Sequence, residues 1–141
     1  MNVLSIKKGI AANARQVKGL TAYAFCPDAI EPPTFYCGEV EIKYHQTYGG
    51  DAEVMVMGYL LTSHAEDEAG QALLDQYLSV GTAKSVVDAI EGLPGNPQSL
   101  GGACDDLVIG NATGYRTYQV GTGTFYGAKL PITVIGVRSQ E

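Results

Sequence analysis

With 141 residues, 45% of them hydrophobic and 17% charged, the chain is sized for one folded domain around a single core, and its composition excludes general disorder. A formal net charge of −6 disfavours wrapping of nucleic acid, which needs clustered Lys and Arg against phosphate. The nine basic residues (Lys7, Lys8, Arg15, Lys18, Lys43, Lys84, Arg116, Lys129 and Arg138) are scattered, and only Lys7 and Lys8 are adjacent.

In chain order, Val3, Ile6, Ile10, Ala14 and Val17 recur at helical steps and predict an amphipathic helix over 3–17, with Gly19 as its stop. Residues 20–26 read as a short strand ended by Pro27 and Asp28. The "EPP" at 31–33 cannot join a central ladder and belongs to a loop or a sheet edge. A second strand follows over 34–44, where Tyr36, Gly38, Val40, Ile42 and Tyr44 only loosely keep a period of two. "HQTYGGD" then forms a turn-prone tip around Tyr48, Gly49 and Gly50. Residues 52–62 carry the strongest strand signal. Val54, Val56, Gly58 and Leu60 face one way, and Met55, Met57, Tyr59 and Leu61 the other. Both faces are apolar, so one should meet the helices and the other a second sheet or another subunit.

Ser63 and Glu66 have the spacing of a capping box, with Glu66, Asp67 and Glu68 in the first turn of the helix that follows. Ala69, Ala72, Leu73, Gln76 and Tyr77 are its expected inner face. A shorter helix over 83–91, capped by Thr82, should bury Val86, Val87 and Ile90, and "GLPGNPQS" breaks it. The last third reads as a long hairpin. One arm is 103–120, interrupted near "GNATG", and the other is 124–137, joined to it through "GTGT" with Thr122 and Phe125 at the tip. Pro131 implies an edge or a bulge in the returning arm. Residues 137–141 form a loose tail. The whole chain, 1–141, is thus one α+β domain. It has a mixed or antiparallel sheet with a long C-terminal hairpin, an N-terminal helix, and one or two helices after the third strand.

Bond-making chemistry is hard to place. His45 and His64 stand in no nucleophile motif. Cys104 is flanked by Asp105 and Asp106, and carboxylates oppose thiolate formation. Cys26, Cys37 and Cys104 have no paired spacing of the structural zinc kind and read as reduced, buried thiols. Adjacent Asp105 and Asp106 would point to opposite faces of a strand and could not chelate together. "GTGTFYG" has the glycines of a phosphate loop, but no helix follows it. No cofactor, metal or catalytic residue is assigned, and the chain is read as a non-enzyme. It has no signal-peptide pattern and no span of membrane length, so the expected setting is cytoplasmic. Nine tyrosines without a tryptophan favour contact surfaces, because each has an apolar ring and a polar tip.

Several stretches together resemble the tail-terminator family of long-tailed, non-contractile bacteriophages, in the form found in phages of actinobacteria. They are "CPDAIEPPTFYCGEVEIKYHQTYGGDAEVMVMGYLLTSHAEDEAGQALLDQYLS", "GTAKSVVDAIEG", "SLGGACDDLVIGNATGY" and "FYGAKLPITVIG". The likeness spans nearly the whole chain and rests on structural glycines, prolines and apolar positions. Glu68 stands where the family pattern has Arg, so no salt bridge carries over to that turn. The resemblance implies a virion structural protein, assembled in the host cytoplasm. Its copies would form a ring, a hexamer by the family pattern, that caps the head-proximal end of the tail tube and ends its polymerisation. Tube protein would lie on one face of the ring and the head connector on the other, with double-stranded DNA passing through without tight binding.

On that reading Met55, Met57 and Tyr59, or their neighbours on the opposite face of the strand, are partly covered by a second chain, and Tyr48, Gly49, Gly50, Thr122 and Phe125 touch tube or connector. Glu66, Asp67, Glu68, Asp105 and Asp106 would line an acidic lumen or a solvated face. A neck adaptor or head-closure protein is the alternative within the same class. A small Cys/His enzyme using Cys104 or His64, and a free nucleic-acid-binding module, are the rivals from other classes.

Overall fold

The computed structural model describes residues 3–43, 51–63, 68–80, 85–93, 96–97, 106–120 and 123–137. Helix α1 spans Val3–Ala14 and strand β1 Thr21–Tyr23, followed by β2 (Thr34–Lys43) and β3 (Asp51–Ser63). Helices α2 (Glu68–Leu78) and α3 (Val86–Glu91) come next, then the two-residue strands β4 (Gly92–Leu93) and β5 (Asn96–Pro97). Strands β6 (Asp106–Ile109), β7 (Thr113–Val120) and β8 (Gly123–Val137) complete the chain. The main sheet runs β1-β2-β3-β8-β6, and β7 also pairs with β8. Among the described residues only β1 and β2 pair in parallel; every other pairing in the main sheet is antiparallel. The fold is α+β with a mixed sheet.

Most elements follow their local signals. α1 buries Ile6, Ile10, Ala11 and Ala14, and the chain turns out at Gly19, whose φ of 87° suits a residue without a Cβ. The loose period of β2 has a structural cause: a register shift between Cys37 and Val40 inserts an extra residue, so that both of these face the helices. In the terminal hairpin, β6 and β7 occupy successive stretches along one side of β8, separated by residues 110–112.

Five local expectations need correction. The first strand is shorter than 20–26, because the chain leaves the sheet after Tyr23. In α2 the buried residues are Gly70, Leu74 and Tyr77, while Ala69, Ala72 and Gln76 are exposed. The small Gly70 lets the helix come close enough for the buried Thr62 hydroxyl to donate to its carbonyl at 3.0 Å. α3 begins at Val86, capped by the Ser85 hydroxyl, which accepts from the Asp88 N–H at 3.0 Å. Residue 137 closes β8, and 138–141 lie outside the described residues.

Pro131 is the fifth. It is not at an edge, since β8 lies between β3 and the β6/β7 arm. Its carbonyl accepts the Gly110 N–H at 2.8 Å. In an antiparallel ladder the amide nitrogen and carbonyl of one residue point to the same side, so the missing N–H faces the gap between β6 and β7. The break in the neighbouring arm is what allows a proline in a central strand.

The three described helices pack on one face. Ile6 and Ile10 of α1, Leu74 and Tyr77 of α2, and Val86 and Ile90 of α3 join Phe35, Val54, Val56, Leu60, Leu130, Ile132 and Val134 in one buried cluster. The Asn13 side chain, itself buried, donates to the Ile90 carbonyl at 3.3 Å and ties α1 to α3. A two-layer domain results, with one sheet face covered by helices.

Candidate functional site

The other sheet face carries no helix among the described residues. In-register neighbours on one face of a sheet are in contact reach, and the register aligns Glu53 with Ile135, Met55 with Thr133, Met57 with Pro131, and Tyr59 with Lys129. β6 adds Val108 beside Thr133. Met55, Met57 and Tyr59 are half-buried, while Val108 and Ile135 are 50% and 38% exposed. Strand β3 therefore has two apolar faces for two reasons: one faces the helices, and on the other no helix among the described residues covers Met55, Met57 and Tyr59.

At one end of the open face the rings consolidate. Tyr36 stacks on Tyr59 with centroids 5.2 Å apart, and Tyr118 meets Tyr59 edge-on at 5.8 Å. Such pairs contribute about 0.5–1.5 kcal/mol each beyond their buried area. Gly38, in the β2 bulge, lies under the Tyr59 ring, where a Cβ would overlap it. The Arg116 guanidinium sits 5.0 Å from the Tyr118 ring centroid. Tyr36, Leu61 and Phe125 form a second, smaller buried cluster, and the Tyr59 and Tyr118 rings pack against it.

The Tyr59 hydroxyl donates to the Glu39 carboxylate, 2.8 Å from Oε1 and 2.5 Å from Oε2. That bond holds the Glu39 carboxyl below its usual value, and burial with the nearby carboxylate pushes the Tyr59 phenol up. Burial, with a lesser contribution from Cys26, pushes Tyr36 up to about 12. The Lys43 ammonium pairs with Glu53 at 3.2 Å. Between the strands, Glu39, Glu41, Met55, Met57, Tyr59 and Lys129 line a shallow groove of about 240 Å³. None of these groups is arranged as nucleophile and base; the surface offers rings, thioethers and a few charges for contact.

Glu39 supplies a pH test. Its folded pKa lies below the unfolded value of 4.5, so its bond stabilises the fold above that pH and the contribution is lost as pH falls through the folded value. The melting-temperature advantage of wild type over Glu39→Gln is expected to be full at neutral pH and to close in acid. A gap that widens in acid would contradict the assignment.

The expected site residues divide. Met55, Met57 and Tyr59 share the open face. Phe125 does not act as an exposed tip: it is 4% exposed and packed within its own chain, because the register places it on the ring cluster. Glu68 is exposed in the first turn of α2. Asp106 begins β6 opposite Ile135. Tyr48, Gly49, Gly50, Thr122, Glu66, Asp67 and Asp105 lie outside the described residues, as do His45, His64, Thr82 and Cys104.

Of the thiols, Cys37 is buried as expected, donates to the Lys7 carbonyl at 3.9 Å, and is pushed up to about 12 by burial. Cys26 is exposed, contrary to expectation, because the chain has already left the sheet there. Sequence reasoning missed Tyr36, Glu39, Tyr118 and Lys129. The bulge hid the phase of β2, and no local signal reveals which strand neighbours β8. Among the described residues no helix is long and apolar enough to cross a membrane. No protein-family model matches the chain, and no curated protein matches it significantly.

Proposed function

We propose that this chain is a virion structural protein whose copies form a ring at the head-proximal end of a phage tail tube, ending tube growth and providing the head-joining surface. The observation that carries the reading is the face that bears no helix among the described residues, where half-buried Met55, Met57 and Tyr59 and exposed Val108 and Ile135 form an apolar strip. A strip of this kind gains free energy when covered by another protein surface. The sequence resemblance to tail terminators supplies the partners: other copies, tube protein and head connector. A chain carrying −6 suits a lumen through which DNA slides without phosphate adhesion.

Electron micrographs of particles made without this protein test the role. Over-long tails without heads are the expected result. Normal-length tails beside unsealed heads would instead assign the neck-adaptor role. Separately, Cys104→Ala and His64→Ala chains should support infectious particles as wild type does; intact rings with lost infectivity would favour the enzyme reading.

A further inference from the structure

Four of the nine cationic residues, Lys7, Lys8, Arg15 and Lys18, fall within the first 27 residues, which contain no Asp or Glu; all fifteen acidic residues lie beyond. The fold brings Lys8 and Arg15 to one groove and Lys7 over the ring of Phe25 at its side. Lys8 and Ala11 on α1, Arg15 in the turn just after it, and Tyr23, Phe25, Cys26 and Pro27 at the end of β1 and beyond line a groove of about 440 Å³. Among the described residues no carboxylate lines it. Phe25 is 53% exposed, and the Lys7 ammonium sits 4.8 Å from its ring centroid. The Arg15 Nε–H donates to the Ala22 carbonyl at 3.0 Å, and the guanidinium has four further N–H donors to offer a ligand at the groove it lines. The groove therefore selects a partner that is both anionic and apolar.

The open sheet face has that character. Its shallow groove combines Met55, Met57 and Tyr59 with Glu39 and Glu41 against a single Lys129. The Tyr59 hydroxyl donates to the Glu39 carboxylate and lowers its pKa. We propose that the α1 groove receives the helix-free face of a second copy of this chain, with Lys8 and Arg15 of one copy against Glu39 and Glu41 of the next. Phe25 and Tyr23 then cover the methionines. Two different patches meeting in this way make a heterologous contact, the kind that propagates round a ring. The inference rests on the ring reading and specifies the mate of the open face.

The test is charge reversal in the full chain, followed by sedimentation across concentration and salt. Lys8 and Glu41 are both exposed, so reversing either leaves the fold intact, checked by circular dichroism. Lys8→Glu alone and Glu41→Lys alone are each expected to weaken self-association about tenfold or more at low salt. Combined in one chain they should restore it, and high salt should weaken the wild type. Assembly unchanged by the single reversals, or not restored by the double, overturns the pairing while leaving the ring reading to the micrographs. A wild type that stays monomeric throughout overturns it as well. Loss of salt-dependent binding to a duplex DNA fragment in Lys8→Glu, with assembly intact, would reassign the groove to phosphate.

Discussion

A Leu60→Ala chain is expected to lose about 2–5 kcal/mol of stability, read as a lower urea midpoint with an unchanged slope. Leu60 is fully buried on the helix-side face, opposite Phe35 on β2 and Ala128 on β8. Truncation removes the burial of the side chain and leaves a cavity between two central strands and the helix layer. The ladder holds those strands in register, so the space closes only in part. Tyr59, the preceding residue, points to the opposite face, and its partners are rings and a carboxylate near solvent. A loss at Leu60 smaller than about 1 kcal/mol would mean that the sheet does not carry its core on that side.

Met57→Lys should have the opposite profile. Met57 is half-buried in the groove with Glu39, Glu41 and Lys129. In the isolated chain a lysine can reach water or the two glutamates, so stability should change by less than about 1 kcal/mol. In an assembly that covers this face, the ammonium is taken out of water at the centre of a contact. Association should weaken on the order of 30-fold or more, as for loss of a central contact residue. Native mass spectrometry or sedimentation of the purified chain measures it. Rings that form as readily from the Met57→Lys chain as from wild type would remove the open face from assembly.

How legible this was in the sequence differs element by element. α1, β3 and the terminal hairpin are stated by periodicity, by paired apolar runs and by turn residues, and these are local signals. The β2 bulge blurred the period of its strand, since one extra residue inverts the phase of everything after it. The inner face of α2 was misassigned because alanines suit either side of a helix, whereas the close approach of Gly70 to Thr62 depends on the sheet. Pro131 pointed to an edge or a bulge because the break that accommodates it lies in another part of the chain, 110–112. Phe125 looked like a tip residue until the register turned it onto Tyr36 and Leu61.

By itself the order of residues determined which segments become helix or strand, and that β3 is apolar on both sides, because propensity and alternation act over a few neighbours. Which of those sides stays uncovered, and which distant lysines and tyrosines become neighbours, was decided only when β3, β8 and the three helices packed. Those contacts join residues far apart in the chain, and each depends on where every other element has already settled.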